Sequence, residues 1–256
     1  MCYSHAGSIV LDALGLDSAR TALYCAVVVF VAYLVRGVAG FGSGLIAVPL
    51  LSLAAPVPAV VPLVVALDYI GSVSQGVRNL DAVVWREQLL LIPFMAVGIV
   101  LGIVVLSSTT PVLLARILGG FVIVYAIYQW WPRSVRQGSR VLGAPFGLLG
   151  GLVGAVFGTG GPFYVIYLTL RGLEKTPFRA TFAMNFLIDG GIRLVAYASL
   201  GLFGLATLTG LALALPVAAV ALYLGGRLHL GLSQIVFVRV ISVLLLGGGL
   251  TLLLKG

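Results

Sequence analysis

Arg36, Asp68, Asn185, Asp189 and Arg193 each stand well inside a long apolar stretch of this chain. Charge placed that way is costly unless it faces a protein interior, a cavity or a partner, so each of these residues invites a functional reading. Arg36, four residues before Gly40, can offer a guanidinium to an anion through paired hydrogen bonds; the alternative is a structural pairing with a carboxylate such as Asp68. Asp68 and Asp189 are deep enough to act as proton carriers for a coupled transport step. Asn185, Asp189 and Arg193 follow at intervals of four and form one polar stripe on an otherwise apolar helix, which must face a bundle interior or a pathway. The same spacing makes an Asp189–Arg193 salt bridge the alternative role.

Two glycine clusters supply the second kind of chemistry. Phe41-Gly42-Ser43-Gly44 and Phe157-Gly158-Thr159-Gly160, the latter extended by Gly161, stand 116 positions apart, with Pro49 and Pro162 nearby. Glycine permits the conformations a helix break needs and lets a ligand approach the main chain. Two such breaks would turn helix N-termini, with free N–H groups and positive dipole ends, towards an anion, and Ser43 and Thr159 would add hydroxyls. Gly-rich segments can also simply pack helices, and Gly98 with Gly102, Gly147 with Gly151, and Gly150 with Gly154 are read that way.

The elements that position these groups are transmembrane helices. Hydrophobic residues make up 61% of the chain, charged residues 9%, and the mean hydropathy is +1.19, values no soluble surface of this size sustains. Alternating strands of a barrel are absent, so the expected fold is an all-α integral membrane protein, one domain over 1–256. Apolar stretches are read at Thr21–Ala39, Ala59–Gly76, Leu89–Leu106, Pro111–Trp131, Val141–Phe157, Phe178–Leu200, Leu205–Leu224 and Ser233–Leu254. Leu45–Ala55 and Pro162–Leu170 are too short to span upright and follow the glycine clusters.

The chain thus reads as internal repeats at about 20–132 and 139–256, each a Gly-broken first element plus three transmembrane helices, making eight full spans and up to ten with the half-helices. Basic connections at Arg78–Arg86, Arg133–Arg140, Arg171–Arg179 and Arg227 swap with the bare Ala55–Pro58, Ser107–Thr110 and Leu200–Phe203 between equivalent places in the two halves. Basic loops stay in the cytoplasm, so this alternation implies two inverted-topology repeats with both termini outside. Two short crossings in each broken element would give five crossings per half, an odd number that inverts the second copy.

The net charge of +8 is spread over helix ends and is topological, so nucleic acid is excluded as a partner. The lead-in up to Ala19 has no basic start of a cleavable signal peptide. Cys2 and Cys25 are structural, and His5 and His229 stand alone, so neither metal nor cofactor is expected. Arg116 and Arg239 snorkel to an interface, and Tyr128, Trp130 and Trp131 form an aromatic belt. No nucleophile elbow or phosphate loop is present, which argues against an enzyme.

Gly40-Phe41-Gly42-Ser43-Gly44-Leu45-Ile46-Ala47-Val48-Pro49, Gly154-Ala155-Val156-Phe157-Gly158-Thr159-Gly160-Gly161-Pro162, Asn79-Leu80-Asp81 with Trp85, and Gly225-Gly226-Arg227 together resemble the TauE/SafE family of membrane permeases over nearly the whole chain. The resemblance implies a secondary transporter in the plasma (inner) membrane that exports a small anion such as sulfite, an organosulfonate or an organic acid by alternating access. Phe41, Gly42, Ser43, Gly44, Phe157, Gly158, Thr159, Gly160, Gly161, Arg36, Asn185 and Arg193 would bind it, with Asp68 and Asp189 carrying a proton. The rival readings are a passive anion channel and a membrane-embedded enzyme acting on a lipid-linked substrate. The expected partners are the anion and membrane lipid, with homo-oligomerisation left open.

Overall fold

A computed structural model describes residues 19–40, 42–75, 80–130, 138–227 and 234–255. The expectations for the lead-in with Cys2 and His5, for Phe41, Arg78, Trp131, Arg133 and His229, and for the side chains of Trp130 and Arg239, lie outside the described residues. Ten α-helices are present among those described: α1 (Ala19–Ala39), α2 (Ser43–Leu51), α3 (Val57–Gln75), α4 (Trp85–Ser108), α5 (Pro111–Trp130), α6 (Gly143–Phe157), α7 (Gly161–Leu170), α8 (Lys175–Ser199), α9 (Leu205–Arg227) and α10 (Gln234–Lys255). They match the apolar stretches read from the sequence to within a few residues at each end.

Five described segments, Ala19–Val38, Trp85–Ser108, Pro111–Gln129, Arg140–Phe157 and Leu205–Arg227, are long and apolar enough to cross a membrane. The distribution of side chains is that of a protein whose solvent is hydrocarbon. Helix α4 turns Leu89, Val97, Val100 and Val104 outward while Leu91, Met95 and Ile99 face inward, and the polar residues Arg36, Asp68, Asn185, Asp189 and Arg193 are buried. Polar groups inside and apolar groups outside are stable only where the outside offers no water.

Both helix breaks sit on left-handed glycines. Gly40 and Gly42 have φ of 83° and 97°, and Gly158, 116 positions after Gly42, has φ of 67°. A side chain at these places would meet steric strain, so glycine is what ends α1 and α6 there. Pro162 in the first turn of α7 then starts the next helix where its missing N–H costs nothing.

The short helices fold back rather than continuing across. Tyr24, near the start of α1, donates to the Leu50 carbonyl near the end of α2 at 2.9 Å. In the second half the N–H of Gly138, ahead of α6, donates to the Leu170 carbonyl at the end of α7, also at 2.9 Å. Nine or ten residues make a helix of only about 14–15 Å, half a bilayer core, so each pair forms a hairpin whose two ends lie together.

Packing between helices is close where glycines allow it. Helices α4 and α6 lie side by side in the same direction, Gly147 against Leu91, Gly151 against Met95 and Gly102 against Leu152, the approach being so near that a Cβ on Gly151 would stand 2.2 Å from the Met95 carbonyl oxygen. Helix α9 meets α1 at Gly37 and Gly225, and α10 meets α5 at Gly119 and Gly249. Helices α3 and α8 pack on each other, with Tyr69 against Gly190.

Candidate functional site

The two breaks meet. A Cβ placed on Gly44 would lie 2.6 Å from the Gly158 carbonyl oxygen and 3.5 Å from Asp68 Oδ2, while Gly158 is in contact with Val48, Val61 and Val65. Both breaks therefore stand against the middle turns of α3. Around this junction the N-termini of α2 and α7 have no side-chain cap, which leaves N–H groups of buried helix starts without partners of that kind. Thr159, between them, is 3% exposed and its hydroxyl has no hydrogen-bond partner.

A charged cluster from the first half braces the junction on one side. Arg36 on α1 pairs with Asp68 on α3 at 2.6 Å, and its guanidinium also donates to Ser43 Oγ at 3.1 Å, to the Asp68 carbonyl at 2.9 Å and to Ser72 Oγ at 2.6 Å. Ser43 donates to Asp68 Oδ1 at 2.6 Å, and Tyr33 donates to the same oxygen at 2.7 Å. The hydroxyl at the first break is thus fully engaged, unlike its counterpart Thr159 at the second. Arg36 also lies over the Phe186 ring, 5.7 Å from its centroid, and Phe186 is in contact range of Gly161 at the start of α7.

The second half carries its own cluster on the stripe read from the sequence, which the fold lengthens at both ends. Thr181, Asn185, Asp189, Arg193 and Tyr197, each four residues after the last, are all buried along one face of α8. Arg193 pairs with Asp189 and donates to the Gly154 carbonyl at 2.8 Å; Tyr164 donates to Asp189 at 3.1 Å. Tyr197 donates to the Ala155 carbonyl at 2.6 Å. Gly154 and Ala155 belong to the last turn of α6; the Gly154 carbonyl also accepts from the Gly158 N–H at 2.8 Å, so Arg193 is its second donor and places positive charge at the negative end of the helix, while Tyr197 takes the Ala155 carbonyl.

A family model described as Sulfite exporter TauE/SafE matches residues 25–252. The chain belongs to the TauE/SafE family. It is accordingly a multi-pass membrane transporter, not an enzyme. Two relatives are similar over most of their length: a "Probable inner membrane transporter protein TsaS" of Comamonas testosteroni, 29% identical with 74% of this chain and 81% of the relative covered, and a "Probable sulfite/organosulfonate exporter TauE" of Cupriavidus necator, 28% identical with 85% and 88% covered. No solved structure matches.

Of the residues singled out from the sequence of this TauE/SafE chain, Arg36, Gly42, Ser43, Gly44, Gly158, Thr159, Gly161 and Asp68 come together around the junction. Phe157 stacks away from it in an aromatic row with Phe121 and Phe163. Gly160 packs on the Gly150 carbonyl within its own hairpin. Gly150 lies under the Tyr164 ring and Gly154 beside the Arg193 guanidinium, so that pair packs against side chains where Gly98, Gly102, Gly147 and Gly151 pack helices.

Sequence reading passed over Tyr33, Ser72, Gln88, Tyr164 and Tyr197, and also Glu87. Buried Glu87 on α4 joins Arg140 Nε at 2.8 Å and Arg171 Nε at 3.2 Å and accepts from Tyr167, tying the start of α4 to the base of the α6–α7 hairpin. Gln88 Nε2 donates to Asn185 Oδ1 at 3.0 Å. The only signal for the tyrosines was their spacing, since Tyr33 precedes Arg36 by three residues and Tyr197 follows Arg193 by four.

Proposed function

We propose that this TauE/SafE transporter exports a small anion, sulfite or an organosulfonate or related organic acid, across the plasma (inner) membrane by alternating access between two inverted halves. The observation that carries the anion site is the junction of the breaks, where two uncapped helix N-termini and the unpartnered Thr159 hydroxyl converge beside Arg36. Gly42, Gly44, Gly158 and Gly161 would bring the main chain to the anion, Phe157 and Gly160 would hold the second loop, and Asn185 and Arg193 would line the route. The names of the two relatives, an inner membrane transporter and a sulfite/organosulfonate exporter, support the inner membrane and the solute class.

The hairpins support inversion. With α2 and α7 folded back, each half would cross three times, by α3, α4, α5 and by α8, α9, α10, and three is odd, as five would be. The parallel runs of α4 with α6, and of α4 with α8 where Val84 N–H donates to Thr181 and Gln88 donates to Asn185, fit that path. The path also gathers Arg86, Arg140, Arg171 and Arg227 at one end, which the distribution of basic loops makes cytoplasmic. Repeats at about 20–132 and 139–256 within a single domain are the matching internal duplication.

Proton coupling, where it occurs, would run through Asp68 or Asp189, the buried carboxylates beside the breaks. Each already holds an arginine, so taking up a proton requires the ion pair to separate, and coupling becomes a property of the pair. Proteoliposome flux tests the whole reading: saturable, pH-gradient-dependent movement of sulfite or a sulfonate is expected, gradient-independent conductance would make the protein a channel, and no flux of any small anion would overturn it.

A further inference from the structure

Gln88 and Asn185 are fully buried, one on α4 of the first half and one on α8 of the second. Two carboxamides can close a ring of two hydrogen bonds, yet these share only one, leaving Gln88 Oε1 and Asn185 Nδ2 without partners. Exchanging oxygen and nitrogen in both amides changes which residue carries which atom but still leaves one donor and one acceptor unfilled. Two unfilled groups at one buried point, contributed by both halves, are costly unless something occupies them during the working cycle.

We infer that the Gln88–Asn185 pair forms a second solute subsite, on the side from which α4 and α8 start, that takes the O–H-bearing end of a singly charged oxyanion. A protonated oxyanion such as hydrogensulfite presents a donor and an acceptor on neighbouring oxygens, the complement of an amide N–H and an amide carbonyl. A fully ionised oxyanion has nothing to donate to the acceptor.

The charges agree with a monoanion. Arg36 is balanced by Asp68 and Arg193 by Asp189, so among the described residues the breaks hold no surplus buried charge. Beside Gln88, Glu87 faces Arg140, Arg171 and Tyr167, a surplus of one positive charge. From α8 the pair is flanked by Thr181 on one side and by Asp189, with Arg193 and Tyr164, on the other. Two neutral amides beside that one surplus charge suit one negative charge on the solute better than two. The subsite borders the junction, because Asn185 is one turn from Asp189 and the next residue, Phe186, touches both Arg36 and the start of α7.

This inference rests on the anion-export reading and specifies the ionic form that is carried: the proton travels on the solute. The test uses purified protein in proteoliposomes, with sulfite and methanesulfonate, a permanent monoanion that bears no O–H, as solutes. Above the second ionisation of sulfite its apparent KM is expected to rise about tenfold per pH unit relative to that of methanesulfonate, following the monoanion fraction. Gln88→Met is expected to raise the sulfite KM about tenfold more than the methanesulfonate KM. A sulfite KM that ignores pH, or a Gln88→Met effect equal for both solutes, as a structural water between the amides would give, overturns the subsite. The pH series on the unaltered protein decides even if the variant does not fold. Methanesulfonate flux with those failures sinks the subsite alone, whereas no flux of either anion sinks the transport reading with it.

Discussion

The two halves hold an Arg–Asp–Tyr cluster each, and the clusters are built differently. In the first, Arg36 and Tyr33 come from α1, Ser43 from α2 and Asp68 and Ser72 from α3, so the ion pair joins three elements across the break itself. In the second, Asp189 and Arg193 lie one turn apart on α8, and the arginine also donates to the Asp189 carbonyl on its own helix and to the Gly154 carbonyl at the end of α6. The ion pair of the second cluster is assembled as soon as its helix forms, with Tyr164 and the α6 carbonyl added on packing; the first exists only when the α1–α2 hairpin is seated on α3. The first therefore depends on how the hairpin is seated, whereas the ion pair of the second is carried by one helix.

Cutting each cluster should expose this difference. The largest effect is expected for Arg193→Met, which strands buried Asp189 and uncaps α6, with a loss of about 3–5 kcal/mol visible as a collapse of thermal stability in detergent. Restoring charge balance with Arg193→Met/Asp189→Leu should recover only part of that, since the C-terminus of α6 still lacks its positive charge and the Gly154 carbonyl keeps only the Gly158 N–H. Arg36→Met is expected to cost a similar amount alone, but Arg36→Met/Asp68→Leu should recover most of the stability while transport stays lost. Equal recovery in both doubles, read in the same melting assay, would remove the distinction between the clusters.

Smaller changes address the junction. Gly44→Ala pushes a methyl into the Gly158 main chain, so a loss of about 1–3 kcal/mol and abolished flux are expected. Wild-type flux from that variant would mean that the breaks need not touch. At the bottom of the scale, Thr159→Val removes a hydroxyl with no partner and should leave stability within about 0.5 kcal/mol while lowering anion-induced thermal stabilisation. Ser43→Ala, whose hydroxyl bridges Arg36 and Asp68, should instead cost about 1–3 kcal/mol, and matching melting curves for the two variants would contradict the asymmetry between the breaks.

Much of the architecture was legible before folding. Leu205–Leu224 was read and α9 runs Leu205–Arg227; the stripe of Asn185, Asp189 and Arg193 was read as one face, and it is buried as one. Hydropathy and four-residue spacing are local properties, and local rules are enough for them. The fold-back of α2 and α7 was not legible, because glycine licenses a break without stating the angle at which the chain leaves it. Nor were Glu87 and Gln88, at the polar start of a helix, distinguishable from residues that face water.

By itself the sequence determined that this chain lives in lipid, where its helices begin and end, and that two glycine breaks recur 116 positions apart, since each depends on the composition of a short stretch. Tertiary structure alone decided what meets what: Arg36 with Asp68 rather than Asp189, Tyr164 with Asp189, Gln88 with Asn185 across 97 positions, and Gly44 with Gly158. In a bilayer every buried polar group must find its partner inside the protein, and which partner is nearest depends on how whole helices pack, a quantity that no single stretch of chain contains.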